Sequence, residues 1–209
     1  MLRMKWFEKK YAAKINKDKI KILDVGSYDV NGSYRNIFTD KKYEYFGLDM
    51  AKGPNVDIAL KHPYDWREIK TGTFDIVISG QAFEHIEFFW LTMGEMARVL
   101  KKGGLLCAIA PNGFGEHRYP VDCYRFFSDG MVALARYVNL KVLHASTNCA
   151  PSSNFTHWYS KTEADSILIA KKTYGGRTKY ADLKKYRCIP ANQRIMRTGL
   201  IPYNLRKKS

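Results

Sequence analysis

Cysteine is scarce in this chain of 209 residues, and what there is does not pair. Cys107, Cys123, Cys149 and Cys188 are scattered with no CxxC, which argues against a disulfide framework and against a structural zinc site. No group of His, Asp, Glu and Cys has metal-ligand spacing, so no metal is expected. Long apolar runs are missing too. None approaches the roughly 20 residues that cross a bilayer, and the opening "MLRMKWFEKKYAAKINKDK" has neither an apolar h-region nor a small-residue cleavage site. The expectation is a cytoplasmic protein. No internal repeat is visible.

Acidic residues are also few, 20 against 35 Lys and Arg, and the imbalance is localised. Residues 1–21 hold eight basic and two acidic side chains, residues 22–170 fifteen and seventeen, and residues 171–209 twelve and one. The excess thus sits at the two ends and flanks a near-neutral middle. This divides the chain into a basic helical lead (1–21), a central domain (22–172) and a basic extension (173–209). Basic ends suit an anionic membrane surface, placing the protein at the inner face of the membrane. A nucleic acid is the weaker alternative, because the middle carries no basic excess of its own. Nothing in the sequence bears on oligomeric state.

What is present is a β/α alternation. "KIKILDVGS", "YEYFGLD" (43–49), "NVDIAL" (55–60), "TFDIVISG" (73–80) and "LLCAIAPN" (105–112) read as short buried strands. "EFFWLTMGEMARVLKKGG" (87–104) has helical spacing at Phe88, Leu91, Met96, Val99 and Leu100 and closes on lysines and a Gly pair. "SDGMVALARYVN" (128–139) is a second helix, and "LKVLHAST" (140–147) and "DSILIAKK" (165–172) are two final strands. The expected fold is α/β, a mostly parallel sheet covered by helices on both faces, with the late pair forming an antiparallel edge.

In such sheets ligands gather at the carboxyl ends of the strands. Four features fall there: "LDVGSYDVNG" (23–32), Asp49 in "GLDM", "PYDW" (63–66) and "SGQAFEHI" (79–86). The first is not GxGxxG. Tyr28 crowds the place where a pyrophosphate needs closest backbone approach, which disfavours NAD or FAD and favours a cofactor without phosphates.

With "ILDVGS" (22–27), "YFGLDM" (45–50), "GTFDIVISGQAFEHI" (72–86) and "MARVLKKGGLLCAIAPN" (96–112) in order, the chain resembles class I S-adenosylmethionine-dependent methyltransferases, and among them small-molecule and sugar enzymes. The likeness covers residues 20–172 and implies a Rossmann-like, seven-stranded sheet with an antiparallel last strand. It implies S-adenosylmethionine as cofactor, with Asp24, Gly26 and Ser27 bordering its methionine part and Asp49 on the ribose hydroxyls. Met50 would pack on the adenine, Asp65 accept from its amino group, and Gln81 lie near the methionine end.

The stretch "GEHRYPVDCYRF" (115–126) follows the fifth strand and has neither helical nor strand periodicity. Sugar and surface-polysaccharide methyltransferases carry a similar "HRYPxDxxRF". That likeness implies O-methylation of a sugar, sugar phosphate or related small polar metabolite. His117 is the favoured proton acceptor and His85 the second candidate. Glu84, Arg118, Tyr119, Asp122 and Arg125 are the candidate substrate residues, the arginines as bidentate grips on an anionic group. The alternative for Arg125 and Asp122 is an internal ion pair. A rival function is a non-catalytic binding protein on the same fold.

Overall fold

The computed structural model describes residues 1–30, 32–113, 115–147 and 164–173. Seven strands form one sheet: β1 (Ile20–Val25), β2 (Tyr43–Asp49), β3 (Ile58–Ala59), β4 (Phe74–Gly80), β5 (Leu100–Pro111), β6 (Leu140–Thr147) and β7 (Asp165–Lys172). Their order is β3-β2-β1-β4-β5-β7-β6. The first five pair in parallel, whereas β7 is antiparallel to both β5 and β6. This is the expected mostly parallel sheet with its antiparallel edge.

Strand alternation sorts the core into two layers. Leu23, Val25, Val77, Leu106 and Leu168 face one way, under Met93, Met96 and Ala97 of α2 (Phe89–Val99) and Met131, Leu134 and Ala135 of α3 (Ser128–Tyr137). Ile20, Ile22, Ile76, Ile78, Ile109 and Ile169 face the other way, against Met4, Phe7 and Ala12. The second layer therefore comes from the basic lead itself: helix α1 (Leu2–Phe7) runs on into a wider π-helical turn, Glu8–Ala12. Its Lys5, Lys9 and Lys10 stay exposed while Arg3 is buried, donating to the Asp165 carbonyl at 2.6 Å. One compact unit spans Met1–Gly176. The extension beyond residue 173 lies outside the described residues, and no described helix is long and apolar enough to cross a membrane.

Two boundaries differ from the sequence reading. Helical spacing carries the helix to the Gly pair at 103–104, yet α2 stops at Val99 and Leu100 is already extended, paired with Phe74 of β4. Lys101 reaches the Asp75 carboxylate at 2.8 Å, and Lys172 donates to the carbonyls of Ala97 (2.6 Å) and Leu100 (2.7 Å). A lysine from a distant strand thus satisfies the carbonyls that a glycine cap serves elsewhere. The third strand, expected over 55–60, shortens to Ile58–Ala59, because Asn55 instead exchanges hydrogen bonds with Ser27.

Candidate active site

Parallel pairing brings the carboxyl ends of β1, β2 and β4 to one edge. β1 breaks at Gly26, whose φ of +77° suits glycine, and a Cβ there would lie 2.4 Å from the Ala82 side chain. The backbone at this turn is bare by necessity.

Asp24, just before the break, is 3% exposed. The Tyr45 hydroxyl donates to its Oδ2, while its Oδ1 is buried without a hydrogen-bond partner among the described residues. Burial pushes its carboxyl up to about 7, and the Tyr45 hydrogen bond and the Arg35 charge offset only part of that rise. Tyr45 was not foreseen as a site residue. The register pairs Asp24 with Gly47, and Gly47 has no side chain, so the next residue on that face reaches across. A tyrosine two positions before a strand-end glycine was the available signal.

Asp49 closes β2. Its Oδ1 accepts from the amides of Met50 (2.7 Å) and Ala51 (3.2 Å), and its Oδ2 from the amide of Tyr28 (3.1 Å), which knits the loops after β1 and β2 together. Met50 stands exposed beside it. Ser27 is buried, its hydroxyl donating to the Asn55 carbonyl at 3.2 Å. Asp65 lies apart from these carboxylates in the hydrogen-bond pattern, half-exposed and ion-paired with Arg67 at 2.7 Å. Gln81 has a φ of +56° and donates to Asp165 Oδ1 at 2.8 Å, so its amide is already engaged. Asp165, at the start of β7, also went unnoticed in the sequence; it links Gln81 to Arg3 of the lead.

The second half of the site is the loop after β5, which is tied to the single turn Phe83–His85 that follows β4. The Cys123 amide donates to the Glu84 carbonyl (2.7 Å), the Tyr124 hydroxyl to the Glu87 carbonyl (2.9 Å), and His85 Nδ1 meets the Val121 carbonyl at 2.6 Å. Within the loop, Asp122 receives both ends of the Arg125 guanidinium, at 2.6 and 2.7 Å, and the His117 amide at 2.7 Å. The Arg125 fork and that amide hold the Asp122 carboxyl well below the usual carboxylate range. Arg125 also donates to the Gly115 carbonyl at 2.9 Å. The internal ion pair is thus present in the structure alongside the Gly115 contact. Arg118 pairs with Glu116 at the exposed surface.

His85, His117 and Tyr119 cluster, the histidine rings 4.9 Å apart and near-perpendicular, with Tyr119 exposed at 5.9 Å from His85. Beside them Glu84 has no exposed surface, and among the described residues neither of its carboxylate oxygens has a hydrogen-bond partner. Burial pushes its carboxyl up to about 7, with its own amide and the charges of His117 and Arg125 offsetting part of the effect. The ligand atoms of Glu84, His85 and His117 all lie within 4.8 Å of one another. The sequence shows no metal-ligand spacing here because 32 residues separate the two histidines; only the fold closes the gap.

Residues 23–108 match the family model for a methyltransferase domain. That segment is similar to the methyltransferase domains of this family. It begins within β1 and ends within β5, so it contains the whole glycine turn, Asp49 and the Glu84–His85 pair and stops short of the Gly115–Phe126 loop. Among solved structures, a Burkholderia thailandensis 1,6-didemethyltoxoflavin N1-methyltransferase with bound S-adenosylhomocysteine is similar at 13% identity and TM-score 0.60, over 82% of this chain and 77% of that one. Phosphoethanolamine N-methyltransferase 2 of Haemonchus contortus, solved with S-adenosylmethionine, is similar at 14% identity and TM-score 0.59, over 83% and 53%. The [4+2]-cyclase SpnF shares the fold at 14% identity and TM-score 0.60, over 83% and 81%. At these identities the likeness carries the fold alone, and the cyclase illustrates that the fold hosts more than one chemistry. No curated protein matches the chain.

Proposed function

We propose that the methyltransferase domain uses S-adenosylmethionine to O-methylate a sugar, sugar phosphate or related small polar metabolite of surface polysaccharide biosynthesis. The observation that carries this reading is the seam between two segments. A loop resembling the acceptor loop of sugar methyltransferases is stitched by three hydrogen bonds to the turn after β4, on the same sheet edge as the glycine break.

The residues present fit the donor. Asp24 Oδ1 is a buried acceptor in want of a donor, and the α-ammonium of a methionine moiety supplies one together with a compensating positive charge. Gly26 leaves the backbone open to close approach. Asp49 keeps unused lone pairs for ribose hydroxyls, and Met50 offers a surface to the adenine. When bound, the donor supplies a sulfonium-activated methyl group. The chain's part is to align the acceptor hydroxyl and dispose of its proton.

His85 and His117 face that task. His85 Nδ1 meets the Val121 carbonyl and His117 Nδ1 the Gly115 carbonyl (3.1 Å), contacts in which Nδ1 carries the hydrogen and Nε2 is the nitrogen left to accept a proton. Arg118 is the remaining loop cation for an anionic acceptor group. Exposed lysines of the lead suit an anionic membrane surface bearing that acceptor.

The test is calorimetry with S-adenosylmethionine and S-adenosylhomocysteine, followed by transfer of labelled methyl to panels of nucleotide sugars, sugar phosphates and extracted glycans. Label in a glycan fraction supports the reading. Donor binding with transfer only to RNA would replace it, and no affinity for either donor form would leave a binding protein on this fold.

A further inference from the structure

The strongest unassigned feature of the molecule is the underside of the acceptor loop. We propose that Glu84, His85 and His117 form a binding site for a first-row divalent transition-metal ion, with zinc the best match to the ligand set. The trio combines a carboxylate and two imidazoles from two segments of the chain, with all ligand atoms within 4.8 Å of one another.

Glu84 is the independent sign that something belongs there. A carboxylate with no exposed surface and no partner for either oxygen carries a large desolvation cost, which a bound cation removes. The histidines are arranged as metal-binding histidines usually are. Each Nδ1–H points at a backbone carbonyl, which fixes the tautomer and the ring and turns the Nε2 lone pair outward. His85 Nε2 already lies 3.7 Å from Glu84 Oε1. Bonds of about 2.0–2.2 Å to a tetrahedral ion set ligand atoms about 3.3 Å apart, so the His85–Glu84 pair closes by a few tenths of an ångström and the widest pair by about 1.5 Å.

The outer contacts hold the two segments in register. The Cys123 amide is bound to the Glu84 carbonyl, and Asp122 receives the His117 amide and the Arg125 fork. Two imidazoles and one carboxylate favour zinc, manganese or ferrous iron over magnesium and calcium, which prefer oxygen alone. Three protein ligands leave a coordination position open.

The consequence for catalysis rests on the methyl-transfer reading above. An acceptor hydroxyl on the open position is acidified, and its proton leaves to solvent instead of passing to a ring nitrogen. The oxygen then forms its bond to the methyl carbon as the carbon–sulfur bond breaks, the electron pair remaining on sulfur as a neutral thioether.

Metal binding itself needs neither donor nor acceptor, so it is tested alone. Chelator-stripped full-length protein is titrated with Zn²⁺ by calorimetry and with Co²⁺ by visible absorption, with Mg²⁺ as the comparison ion. One equivalent of Zn²⁺, a tetrahedral Co²⁺ spectrum and negligible Mg²⁺ heat are expected. Glu84→Gln and His117→Ala should each weaken Zn²⁺ by more than the roughly 10–100-fold that outer-shell changes already cause, while His62→Ala should not. Circular dichroism checks that each variant is folded; should Glu84→Gln fail this, His117→Ala on the exposed loop carries the comparison. Absence of stoichiometric Zn²⁺ binding by the wild type, or binding unchanged in a folded His117→Ala, overturns the proposal. Zn²⁺ binding without methyl transfer leaves the site standing and removes only its catalytic role.

Discussion

Asp24, at the end of β1, and Asp122, in the loop after β5, are handled in opposite ways. Asp24 is buried with one oxygen orphaned, and its carboxyl is pushed up to about 7. Asp122 is almost as hidden, yet it receives a guanidinium fork and a backbone amide and is held low. The turn after β1 leaves a demand that a ligand can meet, whereas the loop after β5 meets its own demands. A site that binds a cationic donor tolerates an unsatisfied carboxylate; a loop that positions His117 needs its scaffold complete.

The largest expected effect breaks the acceptor half alone. His117→Ala should lower turnover by about 10²–10⁴-fold, whether the ring acts as base or holds an ion, with donor affinity by calorimetry unchanged. A matching loss of donor affinity would show that the halves are not separable. His85→Ala is the companion variant, and activity lost only there would shift the central role to His85.

Asp24 gives the next effect, in stability. Its folded value of about 7 stands above its ordinary 3.8, so the folded state holds the extra proton between those limits. Its contribution is full below about pH 4 and is lost as pH rises through 7. Asp24→Asn removes that loss. The variant should therefore gain on the wild type by a few kcal/mol at pH 8 and by little at pH 4, as read from urea unfolding without ligand. Equal pH profiles for the two proteins would mean that Asp24 is not the buried, titrating group described.

Asp49→Ala, on the same edge, should weaken the donor by about 1–3 kcal/mol while leaving metal binding intact. The smallest effect is that of Arg125→Lys, which keeps the charge and loses the fork. Hydrogen exchange across residues 115–126 should quicken by roughly five-fold, about one hydrogen bond's worth, with donor affinity untouched. A large rise in acceptor KM with no change in exchange would instead return Arg125 to direct substrate contact.

Where local chemistry suffices, the elements were legible. β2, β6 and β7 run where their apolar, β-branched and aromatic stretches run, and Asp49 was marked by its place at a strand end. The end of α2 was not, because Lys172, 73 residues beyond Val99, supplies the groups that stop it. The lead was legible as basic and helical; that Met4 and Phe7 line the core beneath the sheet was not, since a few buried apolar positions among eight basic residues read as a charged segment.

The sequence by itself determined the order of strands and helices, the glycine break after Asp24 and the presence of a shaped loop after the fifth strand, because period, turn residues and strand-end position are all local properties. The tertiary structure alone decided that Arg125 forks onto Asp122, that Tyr45 crosses Gly47 to reach Asp24, and that the buried Glu84 carboxylate lies beside two histidines. Each of those depends on strand register and burial, and both are set by which segments share a sheet edge, a relation that no stretch of neighbouring residues contains.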